Sequence, residues 1–272
     1  MQKYSISFRE LVGSQWRNRH LCANLIKREV LGRYRGSFLG LFWSFFSPLL
    51  MLCVYTFVFG SVLKAKWTGH NESDVEFALA LFAGLMVFNV FSEVLIKSPA
   101  MILNNPNYVK RVIFPLEILP SVVVGSALFH LWVSLLAWLL AYGLVYGMPH
   151  LTVLLLPAII IPIVLFLLGL SWILASLGVF LRDVAQITGI MATALMFLSP
   201  VFYPASAVPE GFRFLIYVNP VTPAIEFVRD VLYWGRMPDF AVMGTSTIVA
   251  AFVAWLGFAW FQKTRKGFAD VI

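Results

Sequence analysis

Few residues in this 272-residue chain have both the type and the spacing to do chemistry, and those few sit in apolar surroundings. Glu93 and Lys97 stand one helical turn apart, where a carboxylate and an ammonium pair with each other. His130 lies between Ser126 and Ser134 at i±4, the pattern of a hydrogen-bonded helix contact rather than of a proton relay, and Asn89 is read the same way. His20, His70, His130 and His150 are too scattered to make a metal site of short spacing. Cys22 and Cys53 fall in an amphipathic stretch and in an apolar run, so neither a disulfide nor redox chemistry is indicated. The sequence contains no GxSxG, HExxH or CxxC, and no glycine-rich phosphate loop of the form GxxxxGK followed by Ser or Thr. A proton-coupled carrier needs several carboxylates inside the membrane, and a transferase needs an acid, a base or a nucleophile at its surface. Neither set is present, so the energy for any transport has to come from a partner.

The elements that carry these residues are membrane helices. Apolar residues make up 60% of the chain and charged ones 12%, against roughly a quarter charged in a soluble domain. The mean hydropathy of +0.85 comes from uninterrupted apolar runs of about 20 residues, the length a helix needs to cross the hydrocarbon layer. Strands of a transmembrane barrel alternate apolar and polar residues, which runs such as 151–181 do not. The fold class expected is all-α and polytopic, with six spans near 38–63, 77–98, 116–146, 151–181, 186–204 and 241–262. The first 36 residues hold eight basic residues and no apolar signal core, so a cleavable leader is not expected and the N-terminus should stay in the cytoplasm. Six spans return the C-terminus to that side. Of the 20 Lys and Arg residues, only Lys64, Lys66, Arg213, Arg229 and Arg236 then fall outside, as the positive-inside rule requires. The pI near 9.5 reads as attraction to an anionic inner leaflet.

Three connections stand out. In 15–36, Leu21, Cys22, Leu25, Ile26 and Val30 recur at helical spacing opposite Arg19, Asn24, Lys27 and Arg28, as in a helix lying in the interface. The loop 99–115 is polar and cytoplasmic, and Pro106 and Pro115 bracket a short helix there. The outer segment 204–238 has five prolines and two short apolar stretches, the second with Glu226, Arg229 and Asp230 on its opposite face; it is expected to dip back into the membrane. The first span is rich in aromatic rings: Phe38, Phe42, Trp43, Phe45, Phe46, Tyr55, Phe57 and Phe59. Such rings either face lipid or, stacking on the C–H faces of sugars, form a wall along which a glycan slides.

Several segments together resemble the permease subunits of ABC exporters of polysaccharides, of the O-antigen, capsule and teichoic-acid types. They are Lys27 to Trp43 (KREVLGRYRGSFLGLFW) leading into Ser47-Pro48, Asn105 to Pro120 (NPNYVKRVIFPLEILP), Phe180 to Gln186 (FLRDVAQ), Leu198 to Pro204 (LSPVFYP), Asn219-Pro220 and Phe268 to Val271 (FADV). The resemblance runs in order over nearly the whole chain and looks most like the O-antigen permeases.

It implies a single permease domain: an interface helix in 1–37, spans one to five in 38–204, an outer re-entrant gate in 205–238, and the last span and tail in 239–272. It further implies a homodimer in the inner membrane, served by two copies of a separate phosphate-loop ATPase that carries the ATP and Mg, with no cofactor in this chain. Contact with that ATPase falls to Asn104, Asn105, Asn107, Tyr108, Lys110 and Arg111, with Arg182 and Asp183. The headgroup of a lipid-linked glycan is drawn by Lys27, Arg28, Arg33 and Arg35. The first and fifth spans line the path, through Phe38, Phe42, Phe45, Phe46, Tyr55, Phe59, Met196 and Phe197. An ABC exporter of drugs or other lipids, or a stand-alone lipid-processing enzyme, are the other readings.

Overall fold

The computed structural model describes residues 5–64, 67, 74–110 and 114–272, and among them every regular element is helical. Five helices are long and apolar enough to cross a membrane: Gly40–Val62, Val75–Lys97, Leu116–Tyr146, Leu151–Phe180 and Phe240–Val271. The stretch expected as the fifth span is a shorter helix of 15 residues, Val184–Leu198. At 1.5 Å per residue it is about 22 Å long, less than the roughly 30 Å of the hydrocarbon layer. Its end has a local cause. Pro200 disfavours the helical conformation at the preceding residue, and Ser199 is extended (ψ 150°).

The elements are α1 (Phe8–Arg17), α2 (Arg19–Arg33), α3 (Trp43–Tyr55, continued by π-helical turns to Val62), α4 (Asp74–Lys97), α5 (Pro106–Val109), α6 (Leu119–Tyr146), α7 (Leu156–Phe180), α8 (Val184–Leu198), α9 (Arg213–Val218), α10 (Thr222–Arg229), α11 (Phe240–Thr264) and α12 (Phe268–Val271). The centre is α4, whose stretch from Phe77 to Phe88 is apolar on all sides and which packs against α3, α6, α8 and α10. Ala78 to Leu81 are fully buried, and the fully buried Trp138 of α6 donates its indole N–H to the Leu79 carbonyl at 2.9 Å. A second pair, α7 with α11, approaches closely because Gly169 faces Gly257. A Cβ added at Gly257 would lie 2.1 Å from the Gly169 carbonyl oxygen, a backbone atom that cannot swing aside. Gly257→Val is therefore expected to lower the stability of the purified protein by about 1–3 kcal/mol in thermal unfolding. Gly244→Val, on the same helix with open space around it, should melt like the parent.

Two expectations are corrected. The amphipathic stretch 15–36 is not one helix: the chain turns at Asn18 between α1 and α2. The apolar face of α2 rests on protein rather than on lipid alone, Leu25 packing against Ile118 and Val122 while Ile26 fills the notch at Gly125. The second correction concerns Arg229, expected on a polar outer face with Glu226 and Asp230. It is 1% exposed. Its Nε donates to Ala80 O (2.9 Å), Nη2 to Val201 O (2.7 Å), and Nη1 to Pro200 O and Glu226 Oε1. The guanidinium also stacks over Trp67, 4.2 Å from the ring centre. Helix α10 is thus pinned to α4 and to the turn after α8, with Ile225, Val231 and Leu232 fully buried. In α9, by contrast, Phe214, Tyr217 and Val218 are exposed.

Candidate functional site: a polar cavity and the loop beneath it

Helices α3, α4 and α6 enclose a cavity of about 550 Å³. We take as its mouth the end at the last turn of α4, which Glu93 and Lys97 line together with Arg33 from the end of α2. Glu93 is the hub of the mouth. Lys97 Nζ lies 2.8 Å from its Oε1, Arg33 Nη1 donates to the same oxygen at 3.1 Å, and His130 Nδ1 lies 3.0 Å from Oε2. Lys97 also reaches the more exposed Glu29 at 3.3 Å. His130 Nδ1 lies between Glu93 Oε2 and the donor-only Nη1 of Arg33, 3.3 Å away, so it either donates to the first or accepts from the second. The pairing of Glu93 with Lys97 is as the sequence indicates. His130 is a hydrogen-bonded helix contact, as expected, but its partner is Glu93 on α4 and not a serine of its own helix; Ser126 Oγ is buried without a partner among the described residues. Asn89 is exposed and lines the cavity wall two turns above Lys97.

Of the basic residues expected at a headgroup, only Arg33 lines this cavity. Lys27 and Arg35 are exposed. Arg28 lies over the ring of Tyr108, 5.8 Å from its centre, so it joins α2 to the loop between α4 and α6. That loop holds the short helix α5, with Pro106 at its first position. Asn105 donates its side-chain amide to Met101 O at 2.9 Å, and Tyr108 stacks face to face on Phe114 at 4.1 Å. Asn104, Asn107 and Lys110 are exposed, as are Arg182 and Asp183; Arg111 lies outside the described residues.

The loop is held at both ends. At its start, Ser98 and Ser171 hydroxyls meet at 2.8 Å, and Pro99 O sits where a Cβ of Gly178 would be. At its exit, the buried Glu117 accepts from Arg265 Nη1 (2.8 Å) and Ser14 Oγ (2.9 Å), while its carbonyl accepts from Trp172 Nε1 (3.0 Å). One residue therefore ties α1, the start of α6, α7 and the C-terminal turn together. The sequence singled out neither Glu117 nor Arg265, although a carboxylate beside an apolar span and a basic residue at the end of another is the signal that could have paired them.

Residues 20–233 match the ABC-2 type transporter membrane family. This chain belongs to that family. Relatives of this ABC-2 protein cover it almost end to end. The O-antigen export system permease protein RfbA of Myxococcus xanthus is 29% identical over 265 residues, covering 96% of this chain and 99% of that protein. A Klebsiella pneumoniae protein of the same name is 26% identical over 250 residues, 91% and 93% of the two chains. The polysialic acid transport protein KpsM of Escherichia coli is 21% identical over 247 residues, 89% and 92%.

In this ABC-2 chain the aromatic residues from Phe38 to Phe59, in α3 and just before it, differ in their surroundings. Phe38, Phe42 and Phe46 are exposed, with Phe42 stacked on Phe46 at 6.5 Å, and Phe45 is half-buried. Phe59 sits between Phe77 and Phe202 at 5.7 and 5.8 Å, and Tyr55 packs beside it. On α8, Phe197 is exposed and Met196 packs against the core.

Proposed function

We propose that this chain is the membrane-spanning subunit of an ATP-driven exporter that carries a lipid-linked polysaccharide, of the O-antigen class, from the cytoplasmic side across the inner membrane. The observation that carries the reading is likeness along nearly the whole chain to proteins named as O-antigen export permeases, at higher identity than to the polysialic acid transport protein. Two copies form the path, and a separate ATPase docks on the loop that contains α5. Both termini lie in the cytoplasm. Helix α8 and the chain after it complete a sixth crossing, and the segment 205–238 gates the outer end. The exposed rings Phe38, Phe42, Phe46 and Phe197, with the half-buried Phe45, face the glycan. The stretch Lys27 to Arg35 supplies positive charge at the anionic leaflet, and a pyrophosphate headgroup gains charge-assisted hydrogen bonds from it.

Deleting the gene in its host is the direct test: long O-polysaccharide should disappear from the cell surface and accumulate on its lipid carrier inside. Capsule loss with intact O-polysaccharide would move the chain to the capsule class. The purified subunit should hydrolyse no ATP until its partner ATPase is added, since the sequence holds no phosphate loop. Activity surviving rigorous removal of every co-purifying ATPase would overturn the assignment. Phe42→Ala with Phe46→Ala should cut export while leaving the yield of assembled complex unchanged, and replacement of both by Leu should leave export equally impaired if ring stacking is what matters.

A further inference from the structure

We propose that the cavity between α3, α4 and α6 binds the phosphate-bearing end of the exported glycan, with the anionic group on Arg33 at the mouth and the first sugars along Asn89 and Ser47. The proposal rests on the export reading above and assigns it a site.

The mouth offers a cation that an anion can take over. The cluster sets two carboxylates, Glu93 and Glu29, against two cations, Arg33 and Lys97; Lys97 meets both carboxylates, whereas Arg33 shares Glu93 with it and with His130. Arg33 is the mobile member. Its side chain is 52% exposed, and its contacts with Glu93 and His130 are both made through Nη1. The guanidinium fork matches a phosphate with two parallel bonds. When Arg33 turns to such an anion, Glu93 is not orphaned, because Lys97 and His130 still hold both of its oxygens. A buried carboxylate stripped of all its partners would be far more costly.

The shaft above the mouth sets a few polar groups among apolar side chains such as Met51, Phe82, Met86 and Leu131. Asn89 is the one exposed residue between Phe77 and Phe91 of an otherwise buried helix, and it makes no hydrogen bond among the described residues. A primary amide at membrane depth with nothing to bond costs free energy. It lies eight residues from Lys97, about 12 Å up the helix. Ser47 of α3, also exposed, lines the same shaft, and Trp43 and Tyr34 supply flat aromatic surface. An amide, a hydroxyl and aromatic faces above a guanidinium suit a glycosyl phosphate: sugar hydroxyls meet the polar groups and C–H faces meet the rings. The mouth opens at the end of a membrane helix, so the source to which the proposal commits is a lipid-borne glycosyl diphosphate rather than a soluble one.

The test uses the full-length permease with its ATPase in nanodiscs, titrated with a polyprenyl diphosphate that carries N-acetylglucosamine, and reads the bound glycolipid by native mass spectrometry. Arg33→Gln should weaken binding about tenfold or more, the loss of a charge-assisted bond, and Asn89→Leu about fivefold. Asn89→Leu makes α4 more apolar, so the fold is expected to survive it. Glu93→Gln carries the opposite sign: it releases Arg33 and Lys97 from their shared carboxylate, and the folded fraction should bind the anion several-fold more tightly. A purely structural cluster predicts no gain there. Unchanged affinity in Arg33→Gln or Asn89→Leu overturns the site. Equal binding of the polyprenyl diphosphate without its sugar overturns the placement of sugars in the shaft, and equal binding of soluble N-acetylglucosamine phosphate overturns the lipid-borne source. Any of these failures leaves the export function standing if gene deletion still abolishes surface polysaccharide; normal surface polysaccharide in the deletion strain removes both.

Discussion

Arg229→Ala is expected to cost about 3–5 kcal/mol, the scale measured when one partner of a buried charged network is removed. The loss has several parts. The carbonyls of Ala80, Pro200 and Val201 and the Glu226 carboxylate all lose the guanidinium they now share, and the Trp67 ring loses the cation above it. Each unsatisfied buried acceptor carries its own desolvation cost. Arg229→Lys keeps the charge but replaces a rigid fork by a point donor, so it should recover only part of the stability. Gly84→Ala should reproduce part of the defect from the other side, because its Cβ would lie 2.4 Å from Arg229 Nη2 and displace a group held by four acceptors. Thermal unfolding of the purified permease in one detergent reads all three, with Arg236→Ala as the comparison, a residue stacked over the half-buried Trp234 rather than enclosed. A melting curve for Arg229→Ala that overlays the parent would show that the carbonyls find other donors and that α10 is held by its apolar face alone.

The class of fold is legible in the sequence because membrane crossing depends on run length and composition, both local properties. Which side of each helix meets lipid is not. Helix α4 and helix α11 both carry long apolar runs, yet α4 is enclosed by α3, α6, α8 and α10 while α11 leaves Ile248, Val249 and Phe252 exposed. The same limit explains Arg229. Its spacing with Glu226 and Asp230 marks a polar face, and only the carbonyls of Ala80, Pro200 and Val201, from other parts of the chain, turn that face inward. At the cavity, the i,i+4 pair Glu93 and Lys97 was within reach of sequence reasoning. Arg33 and His130 join it from 60 and 37 residues away, and no local pattern connects them.

The largest functional effect is expected at the loop between α4 and α6. Transmission of an ATP-driven movement needs a stiff insert seated on a stiff base, since a flexible loop absorbs the displacement. In the coupling route proposed for this chain the insert is α5, begun by Pro106 and braced by the Tyr108–Phe114 stack. The base is the contact of Pro99 with Gly178, where a Cβ would lie 2.0 Å from the Pro99 carbonyl oxygen, a backbone atom with no freedom to yield. Gly178→Val should therefore unseat the loop and break the Ser98–Ser171 hydrogen bond beside it. Cysteines placed at Asn107 and Tyr108 should crosslink to the ATPase in the parent background and fail to do so with Gly178→Val, and ATP hydrolysis should lose its coupling to export. Gly143→Val, on α6 with nothing within 4 Å of the added atom, should keep both the crosslinks and the export. A Gly-Ser sequence in place of 104–111 should uncouple as well, while leaving the Glu117–Arg265 tie at the exit intact. Crosslinks that form instead from cysteines in 205–235 would put the outer segment on the ATPase side, invert the topology, and take this route of transmission with it.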